Sequence, residues 1–238
     1  RAMVSSAFVT RTFAALLLPF VLPLAAAAQD PPPAAASDTA VETWYTERII
    51  TGAGSPGVEH LWSKGPWMRS ELVVAGQPIV QIVKDDRYVI VNRLQRRGIA
   101  IQRNPEAIRR DASRRRTIGD DREIILAAGG EETGDGEVGG QPCTVYRLTD
   151  GDGRRETCVS TSEAHVPLRT VFWHRASNRS TEIRYLTWAS KVPLTDDFFE
   201  VAPDVAIESY GYEQYLEASQ QGPVGPAPAT FSHLLHGR

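Results

Sequence analysis

Cysteine, methionine and histidine are scarce here, at two, two and five residues among 238. The histidines His60, His165, His174, His233 and His236 are not spaced with one another, with cysteine or with carboxylates as zinc ligands are, so no metal site is expected. Excess positive charge is also lacking. The formal net charge is −3, which argues against a nucleic-acid binder. The longest apolar run, 13–24, is broken by Pro19 and Pro23 and falls short of the ~20 residues that span a bilayer.

Catalytic signatures are missing too. Gly52-Ala-Gly-Ser-Pro-Gly57 spells G-x-G-x-x-G, but Pro56 and an alternating strand follow where a dinucleotide site needs a helix. Ala53 stands where a nucleophile elbow around Ser55 needs glycine. Asp150-Gly-Asp-Gly153 lacks the third ligand of a calcium loop. No nucleophile–base spacing is visible, and neither enzyme chemistry nor a cofactor is expected.

What is present begins with an export signal. Arg1 and Arg11 precede the apolar run, and Ala25 to Ala28 supply the small residues of a cleavage site, so residues 1–28 read as a signal peptide removed after Ala28. No cysteine follows to carry a lipid anchor, and the mature chain is expected to be soluble and periplasmic. Loss of two arginines takes its net charge to −5. Residues 29–40, rich in Pro and Ala, read as a linker. One domain is expected over 41–218, with a Gly/Pro linker and flexible tail over 219–238.

β-branched and aromatic runs at 44–51, 58–64, 67–74, 79–84 and 87–94 are separated by Gly, Pro or paired Asp. Strand follows strand too closely for crossover helices, which predicts a curved antiparallel sheet. Asn104-Pro105 starts a helix over 106–116, and a second short helix covers 121–128. Strands resume at 137–148, 154–161, 168–175 and 181–190, and a short helix is expected at 212–220. The fold class is mainly β with a helical insertion. Cys143 and Cys158 lie seven residues either side of the turn signal Asp150-Gly151, so a two-residue hairpin sets them directly opposite and predicts a disulfide.

Two further features stand out. Apolar residues recur at period two in Met68 and Leu72, Val80 and Ile82, Tyr88 and Ile90, and Ile183 and Tyr185, marking one face of each strand as core or as the lining of a cavity. Between Arg93 and Arg122 ten arginines face four acids. Arg109, Arg110, Arg114, Arg115 and Arg116 form either a docking face for an anionic membrane surface or envelope protein, or a solvated helix face.

Four short motifs resemble the lipoprotein-carrier (LolA/LolB-like) superfamily, including its outer-membrane lipoprotein-sorting relatives. They are Leu61-Trp-Ser-Lys-Gly-Pro-Trp-Met-Arg69, Gly139-Gly-Gln-Pro-Cys-Thr-Val-Tyr146, Val166-Pro-Leu-Arg169 and Val192-Pro-Leu-Thr-Asp-Asp-Phe-Phe-Glu-Val-Ala-Pro203, in the family's order over residues 44–208. The resemblance implies an incomplete β-barrel lidded by short helices around an apolar cavity, binding lipid or the acyl chain of a lipoprotein without a cofactor. Gly65 stands where the carrier has an arginine that holds its lid, and Lys64 or Arg69 are the candidates to replace it. Rival readings are an interaction or stress-sensing module docking through its arginines, and, below that, a hydrolase assembled only in the fold.

Overall fold

Tight turns at Gly65-Pro66, Ala75-Gly76 and Asp85-Asp86 return the chain on itself between successive strands of its first half. In a computed structural model, which describes residues 41–52, 57–112, 116–162 and 164–237, they generate β1 (Thr43–Thr51), β2 (Gly57–Lys64), β3 (Trp67–Val74), β4 (Gln77–Lys84), β5 (Arg87–Asn92) and β6 (Arg97–Gln102). The expected signal peptide and linker lie outside the described residues, as do Arg114 and Arg115. Helices α1 (Pro105–Ala112) and α2 (Asp121–Ala127) follow. Then come β7 (Glu131–Val138), β8 (Gln141–Thr149), β9 (Gly153–Ser160), β10 (Pro167–His174) and β11 (Arg179–Ser190). A 3₁₀ turn (Asp196–Phe199), β12 (Ala206–Tyr210), α3 (Tyr212–Gln221) and α4 (Ser232–His236) complete the chain.

All twelve strands form one curved sheet, ordered β12-β6-β5-β4-β3-β2-β1-β11-β10-β9-β8-β7 and not closed into a barrel. β1 sits in its middle, flanked by β2 and β11, so two meanders run outward from the first strand to the edges β12 and β7. Every pair is antiparallel except β12, which lies parallel to β6. That parallel pair departs from the all-antiparallel expectation. The segment 192–203 crosses the sheet, and the chain then re-enters beside β6 in the direction of that strand.

There are two other departures, and the first has a local cause. The single strand expected over 137–148 is the hairpin β7–β8, because Gly139 and Gly140 both adopt positive φ (57° and 81°), the geometry of a tight two-residue turn. Helix α1 is described over Pro105–Ala112, and Arg116, the expected last residue of that helix, is not helical.

The disulfide Cys143–Cys158 is present, with Cα atoms 5.5 Å apart, but its register differs from expectation. Cys143 faces Ser160 and Cys158 faces Val145, so the sulfurs bridge diagonally. The loop is longer by two residues because Asp150 Oδ1 accepts from the backbone N–H of Asp152 and Gly153, folding 150–153 into one turn. Closing a loop of this size contributes on the order of 3 kcal/mol.

The sheet has two covered faces. We call inner the face that carries the helices and the C-terminal segment. There Trp44, Leu61, Met68, Ile79, Val83, Tyr88, Ile90, Ile99 and Ile101 pack with Phe231, Leu234 and Leu235. On the outer face Val80, Ile82, Val89, Val91 and Ala100 pack under Phe199 of the 3₁₀ turn. β4, β5 and β6 are therefore buried on both sides, which is why Ile79 to Val83 and Tyr88 to Val91 read as near-continuous apolar runs. β7 at the edge is exposed and acidic, as suits a strand that must not recruit another.

The C-terminal residues correct the expected domain boundary. In place of a domain ending at 218 with a flexible tail, the segment up to Gly237 belongs to the core, with Leu235 fully buried and Leu234 nearly so. Four apolar residues among Gly, Pro and Ala are too few to register as an amphipathic element, yet they meet a complementary apolar surface.

Candidate functional site

The inner face divides into two halves. Over β3–β6 it is closed. Gln81, buried on β4, donates through Nε2 to the carbonyl of Pro228 (3.1 Å) and to Thr230 Oγ1 (2.6 Å), while its Oε1 accepts from Thr230 N (2.8 Å) and from the Tyr88 hydroxyl. The Tyr88 oxygen in turn accepts from Phe231 N at 3.0 Å. Burial pushes the Tyr88 phenol well above its ordinary pKa, so it remains a neutral hydroxyl. Arg103, also buried, donates to the carbonyl of Leu234 (2.7 Å) and to Asp111 on α1 (2.6 Å), tying α4, α1 and β6 together.

A polar chain crosses the middle of this face. Ser70 on β3 donates to Glu59 Oε1 on β2 (2.5 Å), and Arg48 on β1 donates to Glu59 Oε2 (2.6 Å). The Tyr185 hydroxyl on β11 lies beside Arg48 and Thr170, and Thr170 on β10 meets Thr157 on β9 at 3.2 Å. Glu59 has no exposed surface and Arg48 very little. Burial works against the Arg48 charge, but Glu59 and Tyr185 more than offset it and raise its pKa. In the sequence these residues look like solvent-facing alternation, because nothing local distinguishes a buried charged pair from an exposed one.

Beyond this polar chain lies the more open half, over β1, β11, β10, β9 and β8. Cross-strand register puts Ile50 opposite Ile183, Ile183 opposite Thr170, Phe172 opposite Arg155, and Arg155 opposite Leu148, all on the inner face. Ile50, Ile183, Tyr185, Phe172 and Leu148 are only half-buried. Tyr185 stacks on Trp188 at 5.2 Å between centroids. Helix α2 covers the far end, setting Ile125 against Tyr146, Val159 and Leu148. At the start of α2, burial and the neighbouring Asp121 raise the Asp120 carboxyl to about 6. Burial also raises Asp121, against the pull of Arg155 and Arg48.

The expected lining residues therefore separate. Met68, Leu72, Tyr88 and Ile90 are on the inner face, on the strands of the closed half. Ile183 and Tyr185 are on the inner face in the open half. Val80 and Ile82 point to the outer face, because odd and even positions of β4 face opposite ways. Ile82 there lines a groove of about 540 Å³ with Val89, Phe199, Val201 and Ile207, rimmed by Lys84, Asp86 and Glu200.

The arginines are largely matched within their own segment. Arg109 and Arg110 pair with Glu106, and Arg116 pairs with Asp111. Lys64 and Arg69, considered as stand-ins at the Gly65 position, serve the outer face instead. Lys64 donates to the carbonyl of Leu194 (2.9 Å) and Arg69 to that of Phe198 (2.7 Å), both in the closing segment. The sequence reading missed Arg48, Glu59, Gln81, Arg103 and Arg155; strand parity could have placed all of them inward except Arg103, which follows the end of β6. Among the described residues no group of three or more His, Cys, Asp or Glu could hold a metal ion.

No family model matches the sequence, and no curated protein matches it. Solved structures do match in shape. A conserved protein of Thermus thermophilus superposes with a TM-score of 0.51 at 9% identity, over 70% of this chain and 90% of that one. The Pseudomonas aeruginosa MucA/MucB complex gives 0.40 at 12% identity, over 68% of this chain and 56% of that one. The Mycobacterium tuberculosis lipoprotein LppX gives 0.36 at 8%, over 63% and 88%. At such identity, the first is a likeness of fold.

Proposed function

We propose that this chain is an exported, non-enzymatic binding protein of the lipoprotein-carrier type, taking a lipid or the acyl chain of a lipoprotein on the open half of its inner face. One observation carries the reading. Ile50, Phe172, Ile183 and Tyr185 stay half-buried on the same face whose other half is shut by the chain's own C-terminal segment. A side that offers apolar surface beside a completed core suits an apolar guest. The open curved sheet with short helices agrees with the family resemblance, and the disulfide suits an oxidising compartment such as the periplasm. At ~0.8 kcal/mol per buried methylene, one acyl chain supplies micromolar affinity. Docking through the arginine-rich segment has less support, since Glu106 and Asp111 already meet Arg109, Arg110 and Arg116.

Protein purified from a periplasmic extract without detergent is expected to release a near-stoichiometric acyl-containing species on solvent extraction and mass spectrometry. A blank, repeated after incubation with phospholipid and with an acylated peptide, would remove the reading and leave the half-buried residues as ordinary surface.

A further inference from the structure

The open half is not uniformly apolar: among the described residues part-buried Arg155 has no carboxylate within 4 Å there, and Arg179, which also lacks one, is exposed at the start of β11. This arginine sits on β9 opposite Phe172, with its guanidinium carbon 5.9 Å from that ring's centroid, on the inner face. Its Nε is buried and, among the described residues, donates to no acceptor. A buried donor left unmet is destabilising, more so on a charged group, so such a group calls for a reason. The other arginines nearby are engaged elsewhere. Arg154 stacks on Trp173 at 4.1 Å, Arg147 pairs with Glu156 at 2.9 Å, and Arg48 is held by Glu59.

The acid placed to compete for Arg155 is Asp121 at the start of α2. It feels the attraction of Arg155 and Arg48, yet no ion pair within 4 Å joins it to either among the described residues. Burial disfavours its charged form, which weakens it as a counter-ion. Across β10 from Arg155 lies Thr181, with Ile183 two residues along β11 on the same face and Ile50 beyond it. At ~4.8 Å per strand spacing and ~3.4 Å per residue, an oxyanion on Arg155 would send its first methylenes over Phe172 and on to Ile183, roughly 12 Å away on the diagonal. Guanidinium is the side chain best matched to carboxylate or phosphate, and partial burial strengthens the pairing.

Resting on the apolar-ligand reading, we infer that the guest is a single-chain amphiphile with an anionic head, the head received by Arg155 and the chain laid along Phe172, Ile183 and Ile50. The shared chemistry is an oxyanion on an alkyl chain; a fatty acid and an alkyl phosphate are its two sources.

The test is probe-displacement titration of the whole mature protein with dodecanoate, dodecyl phosphate, dodecanol and dodecylamine, all below their aggregation limits. Wild-type protein is expected to bind at least one anionic probe tenfold or more tighter than the alcohol or the amine. Arg155→Gln should weaken that anionic probe by tenfold or more and leave the alcohol within twofold, which also shows the fold intact. Arg155→Lys should fall between. The anionic probe most affected identifies the source. Equal affinity for charged and neutral heads in wild-type protein, or anionic binding unchanged in Arg155→Gln, would overturn the headgroup assignment while leaving an apolar site. Failure of all four probes to bind wild-type protein would instead remove the apolar-ligand reading, and this inference with it.

Discussion

Deleting residues 223–238 is expected to leave a protein without a cooperative unfolding transition, although the sequence of that segment reads as dispensable. Phe231, Leu234 and Leu235 are each at most 6% exposed. Burying such side chains is worth ~1.5–3 kcal/mol each, so the loss of three removes about 4.5–9 kcal/mol from a domain whose total stability lies near 5–15. The deletion also strips the hydrogen-bond partners of Gln81 and Tyr88 and bares Ile79, Ile90 and Ile101. Urea unfolding followed by circular dichroism, with a dye that reports exposed apolar surface, measures the outcome. The milder Leu235→Ala should cost about 2–5 kcal/mol and remain folded. A deletion variant within ~1 kcal/mol of the parent would show that the segment is not part of the core.

The second large effect concerns the buried pair Arg48–Glu59. Glu59→Gln keeps the size of the side chain and an oxygen for Ser70, but leaves the Arg48 charge buried without its counter-ion. Breaking one partner of such a pair costs about 3–5 kcal/mol, whereas replacing both by apolar residues is often close to neutral. Arg48→Met with Glu59→Leu should therefore be more stable than Glu59→Gln alone, offset in part by the Ser70 hydroxyl that loses its partner. The reverse order in urea unfolding would mean that the pair is strongly net-stabilising rather than a device that keeps this face from closing as plain core.

The meander of β2–β5 was legible because each turn carries its own chemistry: Gly65 and Gly76 adopt positive φ, and so does Asp85 at 50°. The cysteine pairing was legible for the same reason, and its register was missed because the Asp150 side chain, not the dipeptide Asp-Gly, decides the loop. β12 was illegible. Ala206 to Tyr210 is short, carries a glutamate and is strand only because β6 offers it an edge. The two-sided burial of β4 divided a lining that sequence periodicity could not assign to a common face, since Val80 and Ile82 answer to Phe199 while Tyr88 and Ile90 answer to Phe231. The candidate site suffered most. Ile183 and Tyr185 were visible by alternation, but Arg48, Glu59 and Arg155 are charged residues that share strand parity with inward neighbours such as Trp44, Leu61 and Val159, and only the register across six strands shows that they face one side of the sheet. Long-range pairing of this kind leaves no local trace.

The central claim is that the open half of the inner face holds an acyl chain, and a fluorescent acyl probe titrated into three proteins tests it most directly. Wild-type protein is expected to bind the probe at one site with micromolar affinity. Ile183→Glu, which sets a charge in the middle of that half, should weaken binding by at least tenfold, and Ile207→Glu, in the outer-face groove, should leave it within twofold. Unchanged binding in Ile183→Glu, or loss confined to Ile207→Glu, would contradict the account and move the site to the other face of the sheet.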